Sequence, residues 1–332
     1  MQVFITGGTG MIGRRLVQRL KERGDTPVIL SRDSDKTRRT PALRGIRVIG
    51  GDPAAAGTWQ EEVDGCDAVV NLAGQNVFSG RWNAELKRKI RDSRVYAAEH
   101  LVGAISRAKK RPRVLVQGSA IGYYGPRDDE ELKESSVPGS DFLAVVAREL
   151  EDAARPVEAL GVRLATVRTG VALARGEGAL AVMTPLFKWG GAAPVGNGGH
   201  PFRLGRGRQW MSWIHVDDIV GIFLLALDNA EARGPINGTA PNPARNVDFS
   251  RALARVLHRP FLPIGPPDLV LDLVLGELSR VVTTGQRVLP SRAQALGYEF
   301  HHPELEGALK AAFAKPRPEP RPAAAPSGSS HH

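Results

Sequence analysis

The sequence predicts an α/β protein, a doubly wound parallel sheet with a smaller C-terminal lobe, and three observations carry that prediction. In the first half, short apolar runs bounded by turn residues alternate with helical patterns, as in a parallel sheet covered by helices on both faces. The first apolar run, Val3-Phe4-Ile5, leads straight into Thr6-Gly7-Gly8-Thr9-Gly10-Met11-Ile12-Gly13 and then into an amphipathic stretch with Leu16, Val17 and Leu20. Polar and glycine residues gather where strands should end, at Ser31-Arg32, Gly51-Asp52, Ala73-Gly74 and Ser119. Ligands of such sheets bind at the carboxyl ends of the strands.

Taken in order, the expected strands are Gln2–Thr6, Pro27–Ser31, Arg47–Gly50, Ala68–Leu72, Arg113–Gly118 and Arg163–Arg168. Helical periodicity fills Met11–Arg23, Asn83–Ala108 and Asp141–Ala159. The second half is less regular. Gly190 to Gly207, with Pro194 and Pro201, reads as a long loop, and loops of that length are often functional. Helices are expected at Val216–Leu227, Asp248–Leu257, Asp268–Leu278 and Pro303–Phe313. From Lys315 the chain is rich in Pro, Ala and Arg, a composition that cannot build a core, and its last residues, Ser-Gly-Ser-Ser-His-His, resemble a tag remnant. The expected organisation is a dinucleotide-binding Rossmann domain over residues 1–170. A substrate lobe partly interleaved with the sheet follows over 171–314, and a disordered tail over 315–332.

Bulk properties narrow the classes. The 332 residues are 42% apolar, enough for one large domain with a lobe. No apolar run reaches 18 residues, and the chain starts on a strand, so neither a membrane span nor a signal peptide is expected. Cys66 is the single cysteine; it reads as a small core residue and fits a cytoplasmic protein. The net charge of +10 is spread over Arg38-Arg39, Lys87 to Arg94 and Lys109 to Arg113 without interleaved aromatics. A small-molecule substrate is therefore the expected partner, and nucleic acid and membranes are not.

The glycine turn carries the chemistry. Gly7 permits the turn, Gly10 lets a pyrophosphate approach the backbone, and Gly13 lets the helix pack on the strand. The N–H groups of Met11, Ile12 and Gly13 then face the phosphates at the positive helix end. At the end of the second strand an acidic residue would bind the ribose of NAD. Ser31-Arg32 stands there instead, a hydroxyl and a planar cation suited to the 2′-phosphate of NADP(H). Asp52 is placed to face the adenine or to form a turn after Gly50-Gly51.

With these residues the chain resembles the extended short-chain dehydrogenase/reductases, and within them the epimerase-like subgroup named for nucleoside-diphosphate-sugar epimerases. The resemblance is carried by Thr6 to Gly13, Asn71-Leu72-Ala73-Gly74, Arg81-Trp82, Ser93-Arg94, Ser119-Ala120-Ile121-Gly122-Tyr123-Tyr124-Gly125 and Arg168-Thr169-Gly170-Val171. It continues through Gln209-Trp210-Met211-Ser212-Trp213-Ile214-His215-Val216-Asp217-Asp218, Asn237-Gly238-Thr239-Ala240-Pro241 and Gly285-Gln286-Arg287-Val288-Leu289-Pro290. It implies NADP(H) as cofactor. It places Leu72, Ala73 and Gly74 beneath the cofactor and Arg94 on the helix facing it, where a cation could meet a phosphate or be one more charge on a basic face. Gln209, Trp210 and His215 are implied to line or close the substrate cleft. The helices Asn83–Ala108 and Asp141–Ala159 pair in dimers of many relatives, so a homodimer is expected by analogy.

The catalytic pattern is incomplete. Relatives use a Ser/Thr, and a Tyr and Lys four apart on one helix face. No Tyr-x-x-x-Lys occurs in the chain, and counting back from Glu151 puts Leu143 and Ala147 at those positions. Ser119 remains as a candidate to polarise a substrate oxygen, and Tyr124 as a candidate proton donor. His200, His258, His301 and His302 lack ligand spacing to carboxylates or cysteines, so no metal site is expected. The sequence thus points to an NADP(H)-dependent, epimerase-like oxidoreductase acting on a carbonyl or hydroxyl substrate, a nucleotide sugar being one class. The alternative is an NADP(H)-binding sensor or scaffold without catalysis.

Overall fold

Short, largely apolar runs rich in β-branched residues make the strands of a covered parallel sheet, and six of them open the chain. In a computed structural model, which describes residues 1–196 and 204–314, they are β1 (Gln2–Thr6), β2 (Thr26–Ser31), β3 (Arg47–Gly50), β4 (Ala68–Asn71), β5 (Val114–Ala120) and β6 (Arg163–Thr169). A seventh strand, β7 (Gly234–Gly238), comes from the second half of the chain. The order is β7-β6-β5-β4-β1-β2-β3, and all neighbours run parallel. Strand order reverses between β1 and β4, so the crevice for a ligand opens above their carboxyl ends.

Side chains alternate across the sheet. Val3, Ile5, Ile29, Val70 and Val116 enter one core with Leu16, Val17, Leu20 and Phe223. Their helices are α1 (Met11–Glu22) and α5 (Val216–Asp228). Phe4, Val28, Leu30, Val69 and Leu115 enter the other core with Leu101, Ile105 and Leu150, from α2 (Ala84–Arg107) and α3 (Phe142–Ala154). Each fully buried aliphatic side chain contributes about 1.5–3 kcal/mol. A third cluster, with Leu180, Phe187, Trp213, Phe249, Leu253 and Leu309, fills the lobe.

Several boundaries differ from expectation. α3 stops at Ala154, because Pro156 turns the next residues into a 3-10 segment, Arg155–Leu160. The helix expected over 268–278 ends at Leu275, where Gly276 takes φ +62°. The helix expected over 248–257 starts two residues earlier, at Asn246. α4 (Gly178–Lys188) escaped notice because Pro185 interrupts its pattern. Part of the loop expected over 190–207 is a strand, Leu204–Gly205, paired with Gly265–Pro267. Residues 197–203, with His200 and Pro201, and the tail 315–332 lie outside the described residues. Among the described residues no helix is long and apolar enough to cross a membrane.

Candidate functional site

The crevice is built from the first glycine turn. Gly7 has φ +67°, and a Cβ there would lie 2.4 Å from the Leu72 carbonyl oxygen; at Gly13 a Cβ would lie 2.3 Å from the Gly7 oxygen. Glycine alone lets the turn, the loop after β4 and the helix meet this closely. Gly10 precedes α1 with no side-chain cap, and its own N–H donates to Gly7. The first internal helix bond is Arg14 to Gly10. The N–H groups of Met11, Ile12 and Gly13 therefore keep no acceptor within the described residues, a positive end open to an anion.

Beneath this turn lies a polar ladder. Thr6 Oγ1 donates to Asn71 Oδ1 at 2.5 Å, and Asn71 Nδ2 donates to Gln117 Oε1 at 2.9 Å. Asn71 Oδ1 also accepts the Ala73 N–H at 3.2 Å. These bonds fix Leu72, Ala73 and Gly74, and the Gln75 N–H donating to Ser93 at 2.9 Å fastens the loop to α2. One turn on, the Arg94 guanidinium lies so close to Gly74 that a Cβ there would sit 3.0 Å from its Cζ. Arg94 donates to the Ile90 carbonyl at 2.9 Å and has no carboxylate partner among the described residues. Burial pulls its pKa down to about 10, because little offsets the lost hydration of the charge.

At the end of β2, Ser31 is buried and its hydroxyl is shared with Thr37 at 2.8 Å and the Asp33 carbonyl at 3.1 Å. Ser31 thus shapes the turn instead of presenting a free donor. Arg32 is exposed and makes no ion pair among the described residues. Asp52 is exposed and accepts the Ala54 N–H at 3.0 Å, so it forms a turn after β3.

The end of β5 is organised differently. Ser119 Oγ donates to Glu151 Oε1 at 2.8 Å. Arg168 grips the same carboxylate in a fork, at 2.9 and 2.8 Å. It also donates to Tyr124 Oη at 3.0 Å and stacks 3.4 Å over the Tyr123 ring. Tyr124 is fully buried, and its hydroxyl donates to Asn237 Oδ1 at 2.7 Å. Burial raises the Tyr124 pKa. The carboxylate holds Arg168 above the usual arginine range. The expectation that Tyr124 donates a proton to substrate fails on this geometry, since its one proton is spent inside the core. Ser119 stays partly exposed, but its proton too is directed inward. Leu143 and the buried Ala147, the positions counted back from Glu151, lie on α3, and neither side chain can move a proton.

The remaining candidates also hold loops. Gln209 Nε2 donates to the Val195 and Val282 carbonyls at 2.7 and 2.8 Å, leaving Oε1 buried and without a partner among the described residues. Trp210 Nε1 donates to Asp129 at 2.7 Å, while Arg245 and Arg287 lie 4.1 and 4.8 Å over its ring. His215 is buried at 3% exposure and accepts the Asp217 N–H on Nδ1 at 3.2 Å. Its pKa falls to about 4, by burial first and the neighbouring His302 second. His302, which has no ligand partner near it in sequence, lies with its ring centre 4.0 Å from that of His215.

The roles of Glu151 and Asn237 as partners of Ser119 and Tyr124, and the pairing of His302 with His215, went unread in the sequence. Their partners lie 32, 113 and 87 positions away, and no local pattern marks them.

Comparison with known proteins agrees with this architecture. A model of the NAD dependent epimerase/dehydratase family matches residues 3–237, and a domain of unknown function, DUF1731, matches residues 266–312. The chain is 43% identical over 317 residues to the epimerase family protein SDR39U1 homolog, chloroplastic, of Arabidopsis thaliana, covering 94% of this chain and 86% of that protein. It is 35% identical to epimerase family protein YfhF of Bacillus subtilis, covering 95% and 98%. The crystal structure of human SDR39U1 (isoform 2) with NADPH superposes with a TM-score of 0.81 at 34% identity, over 94% of this chain and 99% of that one. The NAD complex of a UDP-glucose 4-epimerase from Thermus thermophilus shares the fold at 18% identity and a TM-score of 0.72, over 94% of this chain and 98% of that one.

Proposed function

The chain belongs to the NAD dependent epimerase/dehydratase family, and on that premise we propose that it is an NADP(H)-binding, epimerase-like oxidoreductase acting on a carbonyl or hydroxyl carbon. The observation that carries the reading is Arg94, a partly buried cation without a counter-anion among the described residues, set against Gly74 in the loop that meets the glycine turn. With the free N–H groups of Met11, Ile12 and Gly13 it makes a cradle suited to phosphate oxygens. Gly7, Gly10, Leu72, Ala73 and Gly74 shape the walls of that cradle. Arg32, exposed at the end of β2, selects the 2′-phosphate. The relative solved with NADPH supports the same choice of nucleotide. When bound, the cofactor supplies or accepts a hydride.

On the substrate side, Ser119 is the one candidate with both a hydroxyl and exposure. With its proton held by Glu151, its free lone pairs can accept a hydrogen bond from a substrate hydroxyl. A nucleotide sugar fits the family. Gln209, Trp210 and His215 support the cleft by fixing its loops.

A second reading rests on one specific observation. Tyr124 is sealed and Leu143 and Ala147 are inert, so the fold could retain cofactor binding and have lost turnover, as a sensor or scaffold does. Fluorescence titration with NADPH and NADH, followed by a panel of carbonyl compounds and nucleotide sugars, separates the two. Tight NADPH binding with oxidation by one substrate class is the expected result. Tight binding without turnover across the panel supports the sensor. Equal binding of both nucleotides contradicts the role given to Arg32.

A further inference from the structure

Two segments distant in sequence bring three metal-ligating side chains together. His215 ends the short strand Trp213–His215 and precedes α5. Its Nδ1 is an acceptor, so the neutral ring carries its proton on Nε2, which is buried and has no hydrogen-bond partner among the described residues. Asp217, two residues on, exposes a carboxylate with Oδ2 3.6 Å from His215 Nδ1. The third group, His302, arrives on the segment after Tyr298. That segment is fastened by Asp218, whose carboxylate accepts the Tyr298 hydroxyl at 3.1 Å, the His301 N–H at 2.8 Å and the His302 N–H at 2.9 Å. One ligand atom from each of His215, Asp217 and His302 lies within 4.8 Å of the other two.

We propose that His215, Asp217 and His302 form a site for a borderline divalent cation of the Zn²⁺ class. The donor set is two imidazoles and one carboxylate, which suits zinc and its neighbours and not magnesium or calcium, whose shells are all oxygen. Tetrahedral ligands about 2.1 Å from an ion stand about 3.4 Å apart. His215 Nδ1 and Asp217 Oδ2, 3.6 Å apart, are close to that span; an ion at Nδ1 would take the lone pair that now accepts the Asp217 N–H, and the His302 ligand atom lies within 4.8 Å of both. A fourth position remains for water. Asp218 acts through the segment it holds: its three accepted bonds fix where His302 can stand, as supporting carboxylates do around metal ligands. Two adjacent carboxylates in the first turn of α5 offset the unfavourable meeting of a cation and a positive helix end. The ion would pin residues 298–302, in the DUF1731 segment, to the start of α5.

The test is titration of the full chain with Zn²⁺ against a chromophoric chelator, with Co²⁺ absorption as a report of coordination geometry. The chain should bind one ion per molecule and give an intense tetrahedral Co²⁺ spectrum, and its melting temperature should rise with the ion. His302→Gln and Asp217→Asn, both at sites with solvent access, should each weaken binding at least about tenfold and abolish the melting shift. His301→Gln, next in sequence but outside the cluster, should bind as the parent does. Absence of binding overturns the proposal. So does unchanged binding in His302→Gln, which would trace the ion to the terminal His331-His332 pair.

Discussion

The end of β1 and the end of β5 lie two strands apart in one sheet, yet they treat polar groups in opposite ways. Above β1 and β4 donors are left over: three helix N–H groups find no acceptor, and the partly buried Arg94 finds no anion, among the described residues. Above β5 every strong group is spent: Ser119 and Arg168 converge on Glu151, and Tyr124 closes on Asn237. A protein tolerates unsatisfied buried charge where a ligand completes it, and satisfies it internally where the structure must stand alone. The contrast divides the crevice into a half prepared for an anion and a half sealed on itself.

The largest effect should come from breaking the sealed half. Glu151→Gln leaves Arg168 buried without its carboxylate, and should cost about 3–5 kcal/mol in urea denaturation. A loss near zero would mean that the fork is not a core ion pair. On the open half, Gly13→Ala puts a Cβ against the Gly7 oxygen. NADPH affinity, followed by fluorescence, should fall by at least about 100-fold, or 2.7 kcal/mol. Arg32→Ala removes the exposed cation at the end of β2. It should weaken NADPH by about tenfold while leaving NADH nearly unchanged, since one charge-assisted contact is worth about 1.5 kcal/mol or more. The smallest effect sharpens the sealed half. Tyr124→Phe should cost about 1–2 kcal/mol of stability by orphaning Asn237, and should leave any turnover of bound NADPH within about twofold, because the phenol does not reach a substrate. A much larger loss of turnover at unchanged affinity would return Tyr124 to the chemistry.

The open half was legible in the sequence and the sealed half was not, for a physical reason. The glycine turn is local: Gly7, Gly10 and Gly13 do their work within seven residues, and the apolar run before them names the strand. The same holds for β1, β2, β4, β5 and β6, whose apolar runs are buried on both faces, and less so for the edge strand β3. β7 hides because Gly-Pro-Ile-Asn-Gly has no such run; its place comes from pairing with β6 and from Asn237 reaching Tyr124. Ser31 and Tyr124 were both read as free hydroxyls. Whether a hydroxyl is free depends on Thr37 and Asp33 in one case, and on Arg168 and Asn237 in the other. The His215–His302 contact is of that kind as well, set by the way Asp218 anchors residues 298–302.

Arg94→Met tests the division of the crevice most directly, because it removes the unpaired cation while keeping its apolar bulk. The variant and the parent are melted without ligand and titrated with NADPH. If the cation is held in readiness for a phosphate, the ligand-free variant is more stable, by about 1–2 kcal/mol, and binds NADPH at least about tenfold more weakly. A variant that melts lower and binds NADPH as tightly as the parent would show that Arg94 serves the fold and not the nucleotide.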